Sequence, residues 1–386
     1  MKRFLLIAML SFVGLWSCIT EDKDFMQINS ESFLTIEASL SDQEGPHRVY
    51  VGYSSPNIKI NVENTPIESA IVSFSDDKGN KENLTEIEDG IYETSRYFKG
   101  IVGNTYTLKI SLPDGRNYFS SPEKLIASPK IDDVKAEFVV KTNFDETDSR
   151  SLGYDVTLDF TDPPEPNQYY QWQWVNYQRT VYCATCTKGY DFYLKKCNTE
   201  INFYEGQNEV EIINYRCGEM ICDTCPESCF DITRNTTYNL LSDNLLNGQK
   251  IINIPIARVP YNDRSLYYLR IEQKAISKKM YQYLRSIKDV TQSSGTLFDI
   301  PAETQFSPNL YSKENPNEKI LGAFEVYGLH RKTIYVERNI GSEAYAPFKI
   351  IYPGREISLR RPKISPKAVC VEGKYRTKIE PKDFKE

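Results

Sequence analysis

The chain is expected to be mainly β: an N-terminal immunoglobulin-like β-sandwich, then a larger β-rich domain with one amphipathic helix and a cysteine-rich insertion. Three observations predict this. Short runs of alternating apolar and polar residues recur along the chain, with the period of a half-buried strand. Turn sequences containing Asp and Gly punctuate the runs. Only one segment repeats its apolar residues at helical spacing.

The N-terminus comes first. Lys2 and Arg3 form a basic start, residues 4–15 a short apolar run, and Ser17 precedes Cys18, which are the parts of an export signal. The apolar run is too short to span a bilayer. Leu15-Trp16-Ser17-Cys18 resembles a bacterial lipobox, with bulky Trp16 departing from the pattern. Residues 1–17 are therefore expected to be a lipoprotein signal peptide, with Cys18 as the lipidation site. Residues 18–32, beginning Cys18-Ile19-Thr20-Glu21-Asp22, read as a lipidated acidic tether.

The 386 residues allow two or three domains, and 40% hydrophobic with 26% charged residues is ordinary for a globular chain. The formal net charge is -6, and losing Lys2 and Arg3 with the signal makes it about -8. Such a balance gives no general attraction to nucleic acid.

Residues 33–127 carry the sandwich pattern. The runs 33–38, 70–74 and 106–110 read as strands, and Gly79, Gly90 and Gly115 close turns that need positive φ. Ser128-Pro129-Lys130 marks the expected boundary to a second domain over 128–355. In it, 154–160 alternates cleanly, Pro163, Pro164 and Pro166 interrupt, and 169–177 resumes with Tyr170, Trp172 and Trp174 on one face. Further strands are expected at 250–259, 266–273, 320–327 and 333–337. The helix starts at Ser277, a capping residue, and repeats Ile276, Met280, Leu284 and Ile287 toward the second sheet. Residues 356–386 read as an extended basic tail.

Nine cysteines occur. With Cys18 given to lipid, Cys183, Cys186, Cys197, Cys217, Cys222, Cys225 and Cys229 crowd the insertion 183–229, and Cys370 stands alone downstream. An even count in an exported chain implies disulfides, of which eight cysteines allow 105 arrangements. If all eight pair within the chain, one insertion cysteine reaches Cys370. A four-thiolate zinc site from Cys183, Cys186, Cys222 and Cys225 is the weaker reading, because the separation of the two pairs exceeds that of a compact zinc ribbon. No metal or other cofactor is expected.

No catalytic residue stands out. His47 and His330 are the only histidines, and neither lies in a nucleophile or metal motif. Tyr169-Tyr170-Gln171-Trp172-Gln173-Trp174 could stack on sugar rings, yet aromatic residues alternating on a strand more often pack a core. Asn83-Leu84-Thr85 and Asn235-Thr236-Thr237 match the glycosylation pattern by chance.

Several segments together resemble a known family. They are 69–79 (Ser-Ala-Ile-Val-Ser-Phe-Ser-Asp-Asp-Lys-Gly), Gly90-Ile91-Tyr92, 103–110, 114–121, 129–132, 295–302 and 320–324. The chain is similar in them to an uncharacterised Bacteroidota outer-membrane lipoprotein family, a domain of unknown function typically encoded beside TonB-dependent receptors. The resemblance implies a non-enzymatic lipoprotein of the outer membrane, exposed at the surface. It would assist a TonB-dependent receptor β-barrel as a substrate-capturing or lid-like partner. The alternative is a surface adhesin or glycan-binding β-sandwich independent of a transporter.

Overall fold

The computed structural model describes residues 32–54, 64–140, 152–182, 189–191, 196–198, 227–244, 248–261, 266–291, 305–338, 373, 375–381 and 383–384. They are mainly β, as expected, and one helix lies among them.

The first core is a β-sandwich. Leu34, Ile36, Ala38 and Leu40 alternate along the strand Leu34–Ser41 and all point inward. That strand lies antiparallel to Arg48–Tyr53, which leads on to Ile91–Glu93 and Thr85–Glu88. The facing sheet runs in the order Leu310–Ser312, Asn117–Ser120, Thr105–Ser111, Ile71–Asp76 and Lys81–Asn83. Val72, Phe74, Leu108, Ile110 and Tyr118 close the core from this side. The expected turns at Gly79, Gly90 and Gly115 form, each glycine with positive φ.

One long strand, Ile320–Glu337, ties this sandwich to the second. Residues 320–327 pair in parallel with Leu34–Ser41, and residues 328–337 pair antiparallel with Leu266–Ala275. The sequence pattern predicts two strands here, 320–327 and 333–337; the strand instead continues through 328–332 and changes partner at Gly328. Gly328 is required there, since a Cβ would collide with the Ile126 carbonyl oxygen, and the 126–128 connection crosses over the strand at this point. Leu310, Ile320, Phe324 and Val326 belong to the first core, not the second. Phe324 stacks on Phe74 at 5.3 Å. Buried Asn309 fixes the returning segment by donating to the Phe324 carbonyl at 2.8 Å and accepting from the Phe324 N–H at 3.1 Å.

The second core lies between two further layers. Ile131–Val140, Leu152–Thr161 and Lys250–Pro260 form a three-stranded sheet. It faces Tyr169–Tyr182, Leu266–Ala275 and residues 328–337, with Glu227–Arg234 and Arg376–Thr377 extending the edge. Phe160, Tyr170 and Trp172 fill the centre of this core.

The helix α1, Lys278–Thr291, begins as expected: Ser277 Oγ accepts the Met280 N–H at 3.3 Å. Its Met280 and Leu284 pack on Tyr169, Ile276, Tyr238, Leu240, Ala323 and Tyr327. It thus covers the outer face of the continuous sheet, opposite both cores.

Candidate functional site

The outer face of Leu266–Ala275 carries Tyr268, Arg270, Glu272 and Lys274, because Leu269, Ile271 and Gln273 turn inward. Its two ends are covered. At one end Phe384 packs against Tyr268 and Phe230, with ring centroids 5.7 and 5.0 Å away. At the other, Lys274 lies 4.1 Å from the centre of the Tyr327 ring, within the helix cluster. Between them opens a cavity of about 830 Å³, lined by Tyr177, Arg270, Arg331, Thr333, Glu380 and Asp383 among others.

Two guanidinium groups dominate this groove. Arg270 donates to the Tyr177 hydroxyl at 3.3 Å and lies over the same ring, 5.4 Å from its centroid. Its Nε is buried without a hydrogen-bond partner, the nearest carboxylate being Glu272 at 3.8 Å. Glu272 is engaged by Arg331, whose Nε donates to it at 2.8 Å. Arg270 therefore lines the cavity with its Nε buried in the wall, its planar guanidinium being of the kind that suits carboxylate or phosphate.

The C-terminal segment forms one wall. Thr377 pairs with Phe230 as an added edge strand, and Arg376 donates to Asp231 at 2.8 Å. Asp383 accepts from Thr333 and from Tyr268, the latter at 3.1 Å, while the Tyr335 hydroxyl donates to the Asp383 carbonyl at 2.6 Å. Burial alone would raise the Asp383 pKa, yet the Thr333 and Tyr268 hydroxyls and the Arg270 charge hold it below the usual carboxylate range. Burial pushes Tyr268 up to about 12, so its hydroxyl stays a donor at neutral pH. Arg270 and Arg331 thus share the cavity wall with the carboxylates of Glu380 and Asp383.

A family model described as "Domain of unknown function (DUF4249)" matches residues 21–333. The chain belongs to that family. The match spans the described strands of the first core and most of the second, and ends at Thr333 in the groove. No curated protein matches the chain. The DUF4249 description names a domain and no chemistry, so the site must be read from its residues.

Of the candidate residues, Cys18, Cys183, Cys186, Cys217, Cys222, Cys225 and Cys370 lie outside the described residues. Cys197 falls in the short strand Lys196–Asn198, opposite Tyr190. Cys229 is fully buried opposite Thr180 and is disulfide-bonded. The insertion therefore departs from a firm base, where Tyr169–Tyr182 and Glu227–Arg234 pair from Val175–Arg234 to Tyr182–Glu227. Among the described residues no group of three or more His, Cys, Asp or Glu side chains could hold a metal ion.

The aromatic run at 169–174 offers no sugar platform. Trp172 is 1% exposed in the second core, and on the opposite face Tyr169 packs against Tyr281 of α1 at 5.0 Å. The Asn235 amide is also committed: its Oδ1 accepts from Trp174 N–H at 3.0 Å and its Nδ2 donates to the Thr237 carbonyl at 2.7 Å. His47 is buried rather than at the surface, and His330 is half-buried, its Nδ1 accepting from the Ile131 N–H at 3.2 Å. Sequence reading missed Arg270 and Arg331. The alternation Arg270-x-Glu272-x-Lys274 was the available signal, but the same pattern describes any solvated strand face.

Proposed function

We propose that this chain is a non-enzymatic lipoprotein anchored through Cys18 to the outer membrane and exposed at the cell surface. There it assists a TonB-dependent β-barrel receptor as a substrate-capturing or lid-like partner. The export signal and lipobox at residues 1–18 support the location, and the resemblance of the chain to receptor-associated lipoproteins supports the partner. The observation that carries the capture role is the groove: the guanidinium groups of Arg270 and Arg331 line one open cavity. A tethered module of this kind works by effective concentration, holding a weakly bound ligand near the receptor mouth.

The test has two arms. Affinity purification of the lipoprotein from detergent-solubilised outer membrane is expected to bring a β-barrel receptor with it. A strain carrying Arg270→Ala with Arg331→Ala is expected to import the receptor's nutrient several-fold more slowly than one with the unaltered chain. Normal import by a full deletion strain, together with no co-purifying barrel, overturns the proposal.

A further inference from the structure

At the end of the second sandwich two turns meet. Residues 161–168 run Thr-Asp-Pro-Pro-Glu-Pro-Asn-Gln, and residues 242–244 and 248–249 run alongside them. The Asp162 N–H donates to the Gln249 carbonyl at 3.0 Å, Gly248 N–H to the Pro163 carbonyl at 3.2 Å, and Asp243 N–H to the Gln168 carbonyl at 3.1 Å. Asn167 and Gly248 both take φ of 68° to make these approaches.

The turns bring two aspartates into the interior. Asp162 is 2% exposed and Asp243 0%. Asp162 is partly satisfied: it accepts from the Tyr170 hydroxyl at 2.6 Å and from Gly248 N–H at 3.3 Å. Asp243 is not. Neither of its carboxylate oxygens has a hydrogen-bond partner, and the adjacent Ser242 Oγ is likewise buried and unpartnered. The charges acting on Asp162 are those of Asp243 and Glu165, both negative.

A buried carboxylate without donors is among the costliest groups a protein can hold, and native structures neutralise it. The side-chain groups here are all oxygens: two carboxylates and a hydroxyl. Such a set suits a hard cation. Calcium accepts irregular mixtures of carboxylate, hydroxyl, carbonyl and water oxygens, whereas magnesium demands near-octahedral order and keeps its waters. Zinc would need nitrogen or sulfur ligands.

We propose that Asp162 and Asp243, with the Ser242 hydroxyl, form a calcium site that clamps the 161–168 turn to residues 242–244 and 248–249. With only two carboxylates the affinity belongs in the weak range of extracellular modules, about 0.1–1 mM. The Tyr170 ring, hydrogen-bonded to Asp162 and 6.0 Å from Trp172, sits where it can sensitise a bound lanthanide.

The experiment uses the mature chain stripped with EDTA. Calcium chloride is expected to raise the melting temperature by several degrees, with magnesium chloride at equal ionic strength having little effect. Terbium is expected to show emission on excitation of the aromatic residues, displaced by calcium. Asp243→Asn is expected to weaken calcium binding roughly tenfold or more, while leaving the EDTA-treated protein as stable as the unaltered chain or more so, because it removes an uncompensated charge. Calcium and terbium titrations of the unaltered chain need no variant, so a failure of Asp243→Asn to fold leaves the test intact. No calcium shift and no displaceable terbium signal in the unaltered chain overturns the proposal and assigns the neutralising role to a proton.

Discussion

Trp172 and Gln273 meet in the second core: the indole Nε1 donates to Gln273 Oε1 at 2.9 Å, and neither residue is more than 1% exposed. The other end of the Gln273 amide donates to the Pro129 carbonyl at 2.7 Å, and Ser128 Oγ donates to the Gln273 backbone carbonyl at 2.9 Å. One side chain therefore fixes both the central tryptophan and the connection between the sandwiches. Gln273→Leu leaves the buried Trp172 indole N–H unsatisfied, at about 1–3 kcal/mol, and removes the bond to the half-buried Pro129 carbonyl. Urea unfolding should show the loss, and adding Trp172→Phe should cost less than the sum of the single changes.

Lys274 and Glu325 form a buried pair at 3.0 Å. Burial opposes the lysine charge, but the Glu325 carboxylate outweighs it and raises the Lys274 pKa. Lys274→Met strands the carboxylate and is expected to destabilise by about 3–5 kcal/mol. Lys274→Met with Glu325→Leu should recover most of that loss in thermal and chemical unfolding; a double variant as unstable as the single one contradicts this account.

Gly322 has a φ of 84°, and a Cβ there would run into the Ile36 carbonyl oxygen. Gly322→Ala should cost about 3 kcal/mol or more through backbone strain and lost parallel pairing. Hydrogen exchange is expected to show protection falling first along Leu34–Ser41, with Leu152–Thr161 less affected.

Both histidines titrate below their usual value of 6.5: burial lowers His47, and burial followed by the charges of Lys130 and Lys332 lowers His330. In each case the unfolded chain takes up a proton that the folded chain resists. Their contribution is complete above pH 6.5 and lost as the pH falls below it. The melting temperature should drop between pH 7.5 and 5.5, and drop less in a His47→Gln, His330→Gln variant.

Much of the fold was legible in local pattern. The alternation of Leu34, Ile36, Ala38 and Leu40 marked a strand with one buried face, and Ser277 with Met280 and Leu284 marked the helix. What was not legible depends on contacts distant in sequence. Residues 328–332 fall between two expected strands, yet the strand runs through them, with Gly328 giving clearance to the chain crossing it. Tyr169 packs against Tyr281 of a helix that begins more than 100 residues later. Beyond the alternation of Arg270, Glu272 and Lys274 the groove had no local signature, since Tyr177, Arg270 and Thr333 come from three strands and Asp383 from the tail.

The long strand also dictates an order of assembly. Leu34 pairs with Ile320, so the first strand synthesised waits for a partner 286 positions downstream. Until residues 310–326 arrive, the early core lacks Leu310, Ile320, Phe324 and Val326. Such distant closure is slow, and the intervening chain must emerge before it can begin. During that interval one flank of Leu34–Ser41 stands open with its ladder half made, so this nascent edge is where a holding chaperone has the most to shield.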